Sequence, residues 1–513
     1  VALALARPPF DWGPLAAIAL VPLFIGWRHR GARGSACDAF IAGLVYHAIA
    51  MQWVRFFGGA AVVGLLGALA AYWALAGTVI GWLRRRGVNN PWLTAAVWVI
   101  ADNAVARWPF HGLSWGEIGY AFHDLAPARA VASVGGLTLV SFLAVALNAL
   151  LADLIVAGQR GRARWGAQVG VAVIAVAVVG ATVTRAEPPV VSTLRVALLQ
   201  GNDKNRELTD AEEQDRYLAK SHFDLASTVQ GPVDLVVFPE SSLDGDPRTD
   251  SFLRPKLEDT ARRLQAWVLA NATVDAPPNG AKVLNLNVLF APDGSEEGTY
   301  AKRHLVPFGE YVPFRSLLES WIPQIEKVPR DFESGHRPGL FMIRDTKVAT
   351  VICFESAFGY EVRPLVRAGA QLLLVSTNNR SYRRSANSAQ HLAIGQMRAA
   401  ETGRPVVQAA ISGITGIIDA DGVVRAQTPL FERTVVESTV GATSGQTPYV
   451  RYGEWALSAS LVGLAVAVLM ALRRRREAAV VSAAVAPTVS IDDRIAGYDI
   501  APAREEKVDD RTH

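Results

Sequence analysis

The feature that most constrains this chain is a set of long apolar runs without charge. Residues 58–83, 130–152 and 165–184 contain no Asp, Glu, Lys or Arg, and 452–472 contains only Glu454, at its outer end. A helix needs roughly 20 apolar residues to cross the hydrocarbon of a bilayer. A core helix of a globular protein normally keeps a polar face, which these runs lack. All four are therefore read as membrane spans. Shorter candidates are 14–27, 39–54 and 91–105. The opening VALALARPPFDW, an apolar start broken by Arg-Pro-Pro, reads as the remnant of a truncated first span. No basic leader or cleavage site marks it as a signal peptide.

Half of the 513 residues are hydrophobic and the mean hydropathy is +0.21, too apolar for an ordinary soluble chain. The excess is uneven. Residues 1–185 hold the helical runs. Residues 190–448 mix charges of both signs and are long enough to bury their own core. A last span at 452–472 precedes a small, polar tail, 473–513, expected to be disordered.

Lys and Arg collect in cytoplasmic loops near span ends. The basic clusters are WRHRGARG (27–34), LRRRG (83–87), GQRGRARW (158–165) and LRRRRE (472–477). Placing all four in the cytoplasm lets the spans alternate without conflict and puts 190–448 on the extracytoplasmic side. The pI of 9.1 then reflects a basic excess beside anionic headgroups. It is not a nucleic-acid patch, because 190–448 is close to charge balance.

Within 190–448, short apolar strands alternate with helical stretches. LRVALLQ, VDLVVFPE, AWVLANATV, VLNLNVLF, KVATVICFE, QLLLVSTNN and GRPVVQAA read as strands, with hairpins at Asp293–Gly294 and between 414–419 and 423–427. The pattern is a layered α/β domain. Helices are expected near 255–265, 360–368 and 388–402.

The chain has two cysteines. Cys37 falls at the start of a span on the cytoplasmic side and Cys353 in the outer domain, so the two cannot pair. Cys353 ends a strand, in TVICFES. Two further candidates sit at strand ends or edges: Glu240 in FPES and Lys302 in YAKRHLVPFGEYVP. A thiol attacks as thiolate and needs a base. A carboxylate in a partly apolar pocket supplies one. A lysine beside the reacting carbonyl stabilises an oxyanion, and the amide of Phe354 is a second candidate donor. Within 190–448 there is no G-x-S-x-G elbow, and the chain has no C-x-x-C or H-E-x-x-H, which argues against serine and metal chemistry. Read singly, Glu240 is equally a surface carboxylate, Lys302 more often a solvated hairpin charge, and a lone buried cysteine such as Cys353 more often structural.

Together, FPES, then KRHLVPFGEYVP, then CFE resemble the nitrilase superfamily, in which Glu, Lys and Cys occur in that order. With spans on both sides, the chain resembles its membrane-bound branch, the apolipoprotein N-acyltransferase family. The resemblance implies a nitrilase-like α-β-β-α sandwich on a polytopic helical bundle in the bacterial cytoplasmic (inner) membrane. It implies Glu240 as general base, Lys302 as stabiliser of the tetrahedral intermediate and Cys353 as nucleophile. Cys353 takes an acyl chain from a phospholipid, typically phosphatidylethanolamine, as a thioester and passes it to the α-amine of a diacylglyceryl-cysteine lipoprotein. Glu310 matches a supporting glutamate of the family, and Phe354 and Glu355 match the aromatic and glutamate that follow the nucleophile. No cofactor or metal is implied.

The chain departs from the family in two places. TNNRSYRRS stands where many relatives have T-N-D and then W-F-G, with Ser381 where a tryptophan is common, and Thr209 stands roughly where an aromatic is usual. The TNN form resembles high-GC Gram-positive relatives. Some of those continue into a polyprenol-phosphate glycosyltransferase, which implies a partner of that kind. Two other readings remain open from the residues: a membrane-tethered amidase acting on a small C–N substrate, and a transporter-like bundle with an inert outer domain. The number of spans opposes the first. The scarcity of intramembrane charge opposes the second, Asp102 and His47 being the notable exceptions.

Overall fold

The structure, a computed structural model, describes residues 1–157, 161–318 and 328–485. Five long helices come first: α1 (Ala32–Ala50), α2 (Gly59–Arg85), α3 (Pro91–Val105), α4 (Ala126–Ala157) and α5 (Gly161–Thr184). Among the described residues, four helical segments are long and apolar enough to cross a membrane: Gly59–Arg85, Ala126–Ala157, Ala163–Thr184 and Trp455–Arg474. These coincide with the four uncharged runs. The shorter candidates fare differently. Residues 91–105 form α3, started by Asn90, whose Oδ1 accepts from the amides of Trp92 and Leu93. Residues 39–54 divide between α1 and a 3-10 turn, Gln52–Phe57. Residues 14–27 do not form a span. They break into Gly13–Ala17 and a six-residue helix, Val21–Gly26. Pro14 and Pro22 lack the amide hydrogens that a continuous helix requires, so each can stand only in a first turn.

Three basic clusters meet at one end of the bundle. Arg474 donates to the carbonyl of Gly87 at 2.6 Å, and Arg28 pairs with Asp153, one turn before the end of α4. The fourth cluster begins at 158–160, outside the described residues. The sandwich lies toward the other end of the bundle, where Trp53 and Phe57 of the Gln52–Phe57 turn leading into α2 pack on Tyr382.

Twelve strands form two six-stranded sheets. In chain order they are β1 (Val190–Gln200), β2 (Leu235–Val237), β3 (Trp267–Asp275), β4 (Val283–Phe290), β5 (Glu296–Ala301), β6 (Leu340–Ile343), β7 (Thr346–Ile352), β8 (Leu372–Thr377), β9 (Val406–Ala410), β10 (Gly416–Ile418), β11 (Val424–Gln427) and β12 (Thr434–Thr443). The sheet orders are β12-β1-β2-β3-β4-β5 and β11-β10-β9-β8-β7-β6. Each has three parallel strands at its centre, β1-β2-β3 and β7-β8-β9, and antiparallel partners outside them.

Side-chain alternation sorts the layers. Leu194, Val196 and Leu198 of β1 meet Leu372 and Leu374 of β8 between the sheets. Ala197 and Leu199 face outward onto α6 (Tyr217–Thr228) and α7 (Leu253–Leu264). Leu373 and Val375 face α8 (Gly359–Arg367) and α9 (Asn387–Thr402). Strands buried on both faces read as continuous apolar runs, and the result is the expected α-β-β-α sandwich. Helix α10 (Trp455–Val485) then returns to the bundle; the rest of the tail, 486–513, lies outside the described residues.

The sandwich docks on the bundle through α9. Gln390 satisfies all its polar valences there. Its Oε1 accepts from the indoles of Trp53 (3.0 Å) and Trp115 (2.8 Å), and its Nε2 donates to the carbonyls of Ala50 (2.7 Å) and Pro8 (3.2 Å). Helix α4 breaks at Gly135–Gly136, with Gly136 at φ 71°. The freed amide of Leu137 donates to Glu401 Oε1 at 2.6 Å. A Cβ on Gly136 would stand 2.6 Å from the Tyr449 ring, so the close approach needs glycine.

Candidate active site

Strand β7 ends at Ile352, and the chain turns sharply into a 3-10 segment, Cys353–Ala357. Cys353 sits at φ 52°, a left-handed conformation that costs a non-glycine residue energy and gathers at functional sites. Glu355 holds the turn. Its carboxylate accepts from the Tyr300 hydroxyl (2.8 and 2.9 Å) and from the amides of Ile352 (2.7 Å), Arg303 (2.8 Å) and His304 (3.0 Å). Its oxygens are thus occupied by structure. Phe354 lies toward the bundle, stacked near Trp115 and edge-on to Phe358.

Glu240 follows β2, and the next residue, Ser241, has φ 56° and donates its amide to Asn271 Oδ1. Lys302 follows β5, its amide bonded to the carbonyl of Asn285 on β4. The Lys302 side chain is 1 % exposed, and its ammonium sits between two carboxylates. It lies 2.8 Å from Glu310 Oε1 and 3.4 Å from Glu240 Oε1. Asn285 Nδ2 donates to both carboxylates, at 2.7 Å to Glu240 and 3.2 Å to Glu310. The second oxygen of Glu240 accepts the amide of Asn378 at 2.7 Å. That of Glu310 accepts the amide of Val306. Asn271 bonds Asn285 and Asn287, and Asn287 bonds Thr350 of the facing sheet. This amide ladder fixes the carboxylates from behind. Sequence reading missed it, although VLNLNVLF carries the signal: two amides at i and i+2 on one face of a buried strand.

Burial pulls the Lys302 ammonium pKa down, but the charges of Glu310 and Glu240 override this and hold it well above the ordinary lysine value. Burial, with the Glu240 charge, pushes the Cys353 thiol up to about 12, against the opposing pull of Lys302 and a hydrogen bond from Thr377. The resting sulfur is therefore a protonated thiol beside a carboxylate. Residue 353 keeps a partial opening to solvent, the access a nucleophile requires.

The structure thus brings Glu240, Lys302, Glu310 and Cys353 into one cluster, with Glu355 and Phe354 supporting it from either side. Ser381 lies exposed on a turn, Arg380–Tyr382. Its neighbour Tyr382 makes the aromatic contacts, edge-on to Trp53 and Phe57 of the bundle. Thr209 caps a short helix, Asp210–Gln214. Beside Glu310, Phe308 and Phe314 group with Phe110 of the α3–α4 loop, and Phe308, Phe314 and Trp108 are exposed.

Two family models match the chain: the apolipoprotein N-acyltransferase N-terminal domain over residues 1–150 and carbon-nitrogen hydrolase over residues 195–449. A curated apolipoprotein N-acyltransferase of Geobacter metallireducens is 31% identical over 503 residues, covering 93% of this chain and 94% of that protein. One of Methylococcus capsulatus is 32% identical over 507 residues, covering 93% and 95%. Among solved structures, a CN-hydrolase superfamily protein of Xanthomonas campestris matches at 20% identity with a TM-score of 0.38, covering 53% of this chain and 97% of that one.

Proposed function

The chain belongs to the apolipoprotein N-acyltransferase family, and on that premise we propose that Cys353 carries the acyl group as a thioester between a phospholipid donor and the lipoprotein acceptor. The observation that carries this reading is the convergence of Lys302, Glu240 and Glu310 in one buried cluster, with the charges of Glu240 and Lys302 acting on the Cys353 sulfur.

In the first half, Glu240 takes the thiol proton. The thiolate attacks the ester carbonyl of phosphatidylethanolamine, and Lys302 meets the oxyanion. The C–O bond breaks, and the proton on Glu240 passes to the departing lysophospholipid oxygen. In the second half the α-amine of diacylglyceryl-cysteine attacks the thioester carbonyl and gives a proton to Glu240. The C–N bond forms, the C–S bond breaks, and the sulfur is reprotonated. A buried ammonium already held by two carboxylates needs no rearrangement to act twice. The exposed aromatics beside Glu310 offer an acyl chain a path from the bilayer, and amide-fixed carboxylates favour a proton shuttle over a metal. The basic end of the bundle faces the cytoplasm and the sandwich the opposite side, as the distribution of Lys and Arg requires.

Intact-mass measurement of the detergent-purified protein after incubation with phosphatidylethanolamine tests the reading. A fatty-acyl adduct on Cys353 that hydroxylamine removes is expected. No adduct on a protein that binds the lipid overturns it.

A further inference from the structure

A second set of buried groups reaches the sulfur from β8 and α9, and the steps above do not use it. Thr377, fully buried at the end of β8, places its Oγ1 3.2 Å from Sγ of Cys353. The same oxygen lies 3.3 Å from Asn379 Oδ1 and 3.3 Å from Nδ1 of His391, a buried residue of α9. His391 Nε2 stands 2.9 Å from Ser356 Oγ and 3.2 Å from the Cys353 carbonyl oxygen.

The protons can be counted. Ser356 gives its one hydroxyl hydrogen to the Cys353 carbonyl at 2.9 Å, so its oxygen is left to accept. A carbonyl oxygen only accepts. Both neighbours of Nε2 therefore require a donor, and His391 carries its hydrogen there. Nδ1 is left as an acceptor, with Asn379 Nδ2 at 3.4 Å. That amide nitrogen also donates to Asn387 Oδ1 at 2.8 Å, which fixes the Asn379 orientation. Burial lowers the His391 pKa to about 4 and keeps the ring neutral. The Thr377 hydroxyl thus has one hydrogen and three acceptors: Nδ1, Oδ1 and Sγ. Two stay neutral throughout. The third becomes an anion when Cys353 loses its proton, and a charged acceptor outcompetes neutral ones.

We propose that Thr377 is a further catalytic residue, whose hydroxyl turns to donate to the Cys353 thiolate and turns back to Asn379 or His391 once the sulfur is acylated. No covalent bond changes; the hydrogen rotates about the Cβ–Oγ1 bond. His391 and Asn379 are positioning residues that hold the hydroxyl within reach while giving it a place to rest. The charged groups around the thiol leave this role open. Glu240 and Glu310 cannot donate when ionised, and the Lys302 ammonium is engaged by both. Tyr382, also near, packs on Trp53 and Phe57. The Asn378 amide is the other donor near the sulfur.

The inference rests on Cys353 being the nucleophile, and the test separates the two. Iodoacetamide alkylation of Cys353, mapped by peptide mass in a Cys37→Ala background, is followed over about pH 7–10, alongside acyl loading from phosphatidylethanolamine. Thr377→Val keeps the shape and loses the donor; Thr377→Ser keeps the donor. Valine is expected to slow alkylation roughly tenfold at each pH, the effect of a thiol pKa about one unit higher. It is expected to slow loading similarly, with serine within about twofold of the parent. Should valine destabilise the protein, Thr377→Ala supplies the same comparison in a smaller side chain. Parent-like rates in the valine and alanine variants overturn the proposal. So does equal slowing by serine and valine, which would make the effect one of shape. A parent protein that alkylates with this Thr377 dependence yet never loads acyl groups overturns the thioester reading instead.

Discussion

Glu310 Oε1 stands 2.8 Å from the Lys302 ammonium, closer than the 3.4 Å separating the same nitrogen from Glu240 Oε1. In the proposed mechanism the lysine's closer anchor, Glu310, moves no proton, and Glu240 is the carboxylate that trades one. Glu310→Gln removes the stronger anchor. Loss of a charge-assisted bond of about 1.5–3 kcal/mol predicts transfer slowed roughly ten- to hundredfold. The Lys302 pKa falls with the loss of negative charge, so the alkaline limb of the pH–rate profile moves to lower pH. Acyl-loading rates across pH check both effects.

Cys353→Ser replaces a thiol by a far less acidic hydroxyl at the same place. Acyl loading disappears from the intact-mass spectrum, while the melting temperature stays near that of the parent. An ester adduct on the serine, formed at the parent rate, would remove the thiol from the mechanism.

The pH dependence of the free thiol follows from its surroundings. Burial and the Glu240 charge both disfavour the thiolate, so the protonated form dominates below a pKa of about 12. Alkylation of Cys353 in the absence of lipid therefore rises continuously with pH through the alkaline range. A plateau reached near neutrality would mean a preformed thiolate and contradict the arrangement described.

Gln390→Leu leaves two indole donors and two backbone carbonyls at the docking surface without their partner. Unpaired buried groups cost about 1–3 kcal/mol each. The expected outcome is a lower melting temperature in detergent and protease cleavage between bundle and sandwich, with the catalytic cluster itself intact. Unchanged melting would show that α9 does not secure the junction.

A fluorescent protein fused after residue 485 is expected to be bright and an alkaline phosphatase at the same place inactive, because the Arg474 end of the bundle is assigned to the cytoplasm. The reverse pattern would invert the assignment of sides.

Much of this was legible in the sequence, for identifiable reasons. Uncharged runs of span length have few soluble alternatives, and Glu240, Lys302 and Cys353 stand at strand ends, where a layered α/β fold gathers chemistry. What stayed hidden depends on partners distant in the chain. Gln390, Arg398 and Glu401 make α9 look like a polar surface helix, yet it is buried along its length against the bundle. The roles of Thr377 and His391 exist only once β8 and α9 are folded together. Strand β12 was overlooked because half of it is solvated and its alternation is weak, as was β6, only four residues long. The 14–27 run misled through its hydropathy, when its two prolines should have decided.

Strand β1 begins at Val190, six residues after α5 ends, and pairs there with Thr443 of β12, the strand that leads back toward α10. Both cords from the bundle thus reach the sandwich side by side, along one margin. A body moored at two neighbouring points and seated on the bundle through Gln390 can neither swing nor spin. The sulfur therefore keeps a constant heading over the bilayer. Under the proposed two-step transfer, finding the site is a two-dimensional search carried out by the lipid and the lipoprotein, each arriving from the same compass bearing and leaving before the other takes its turn.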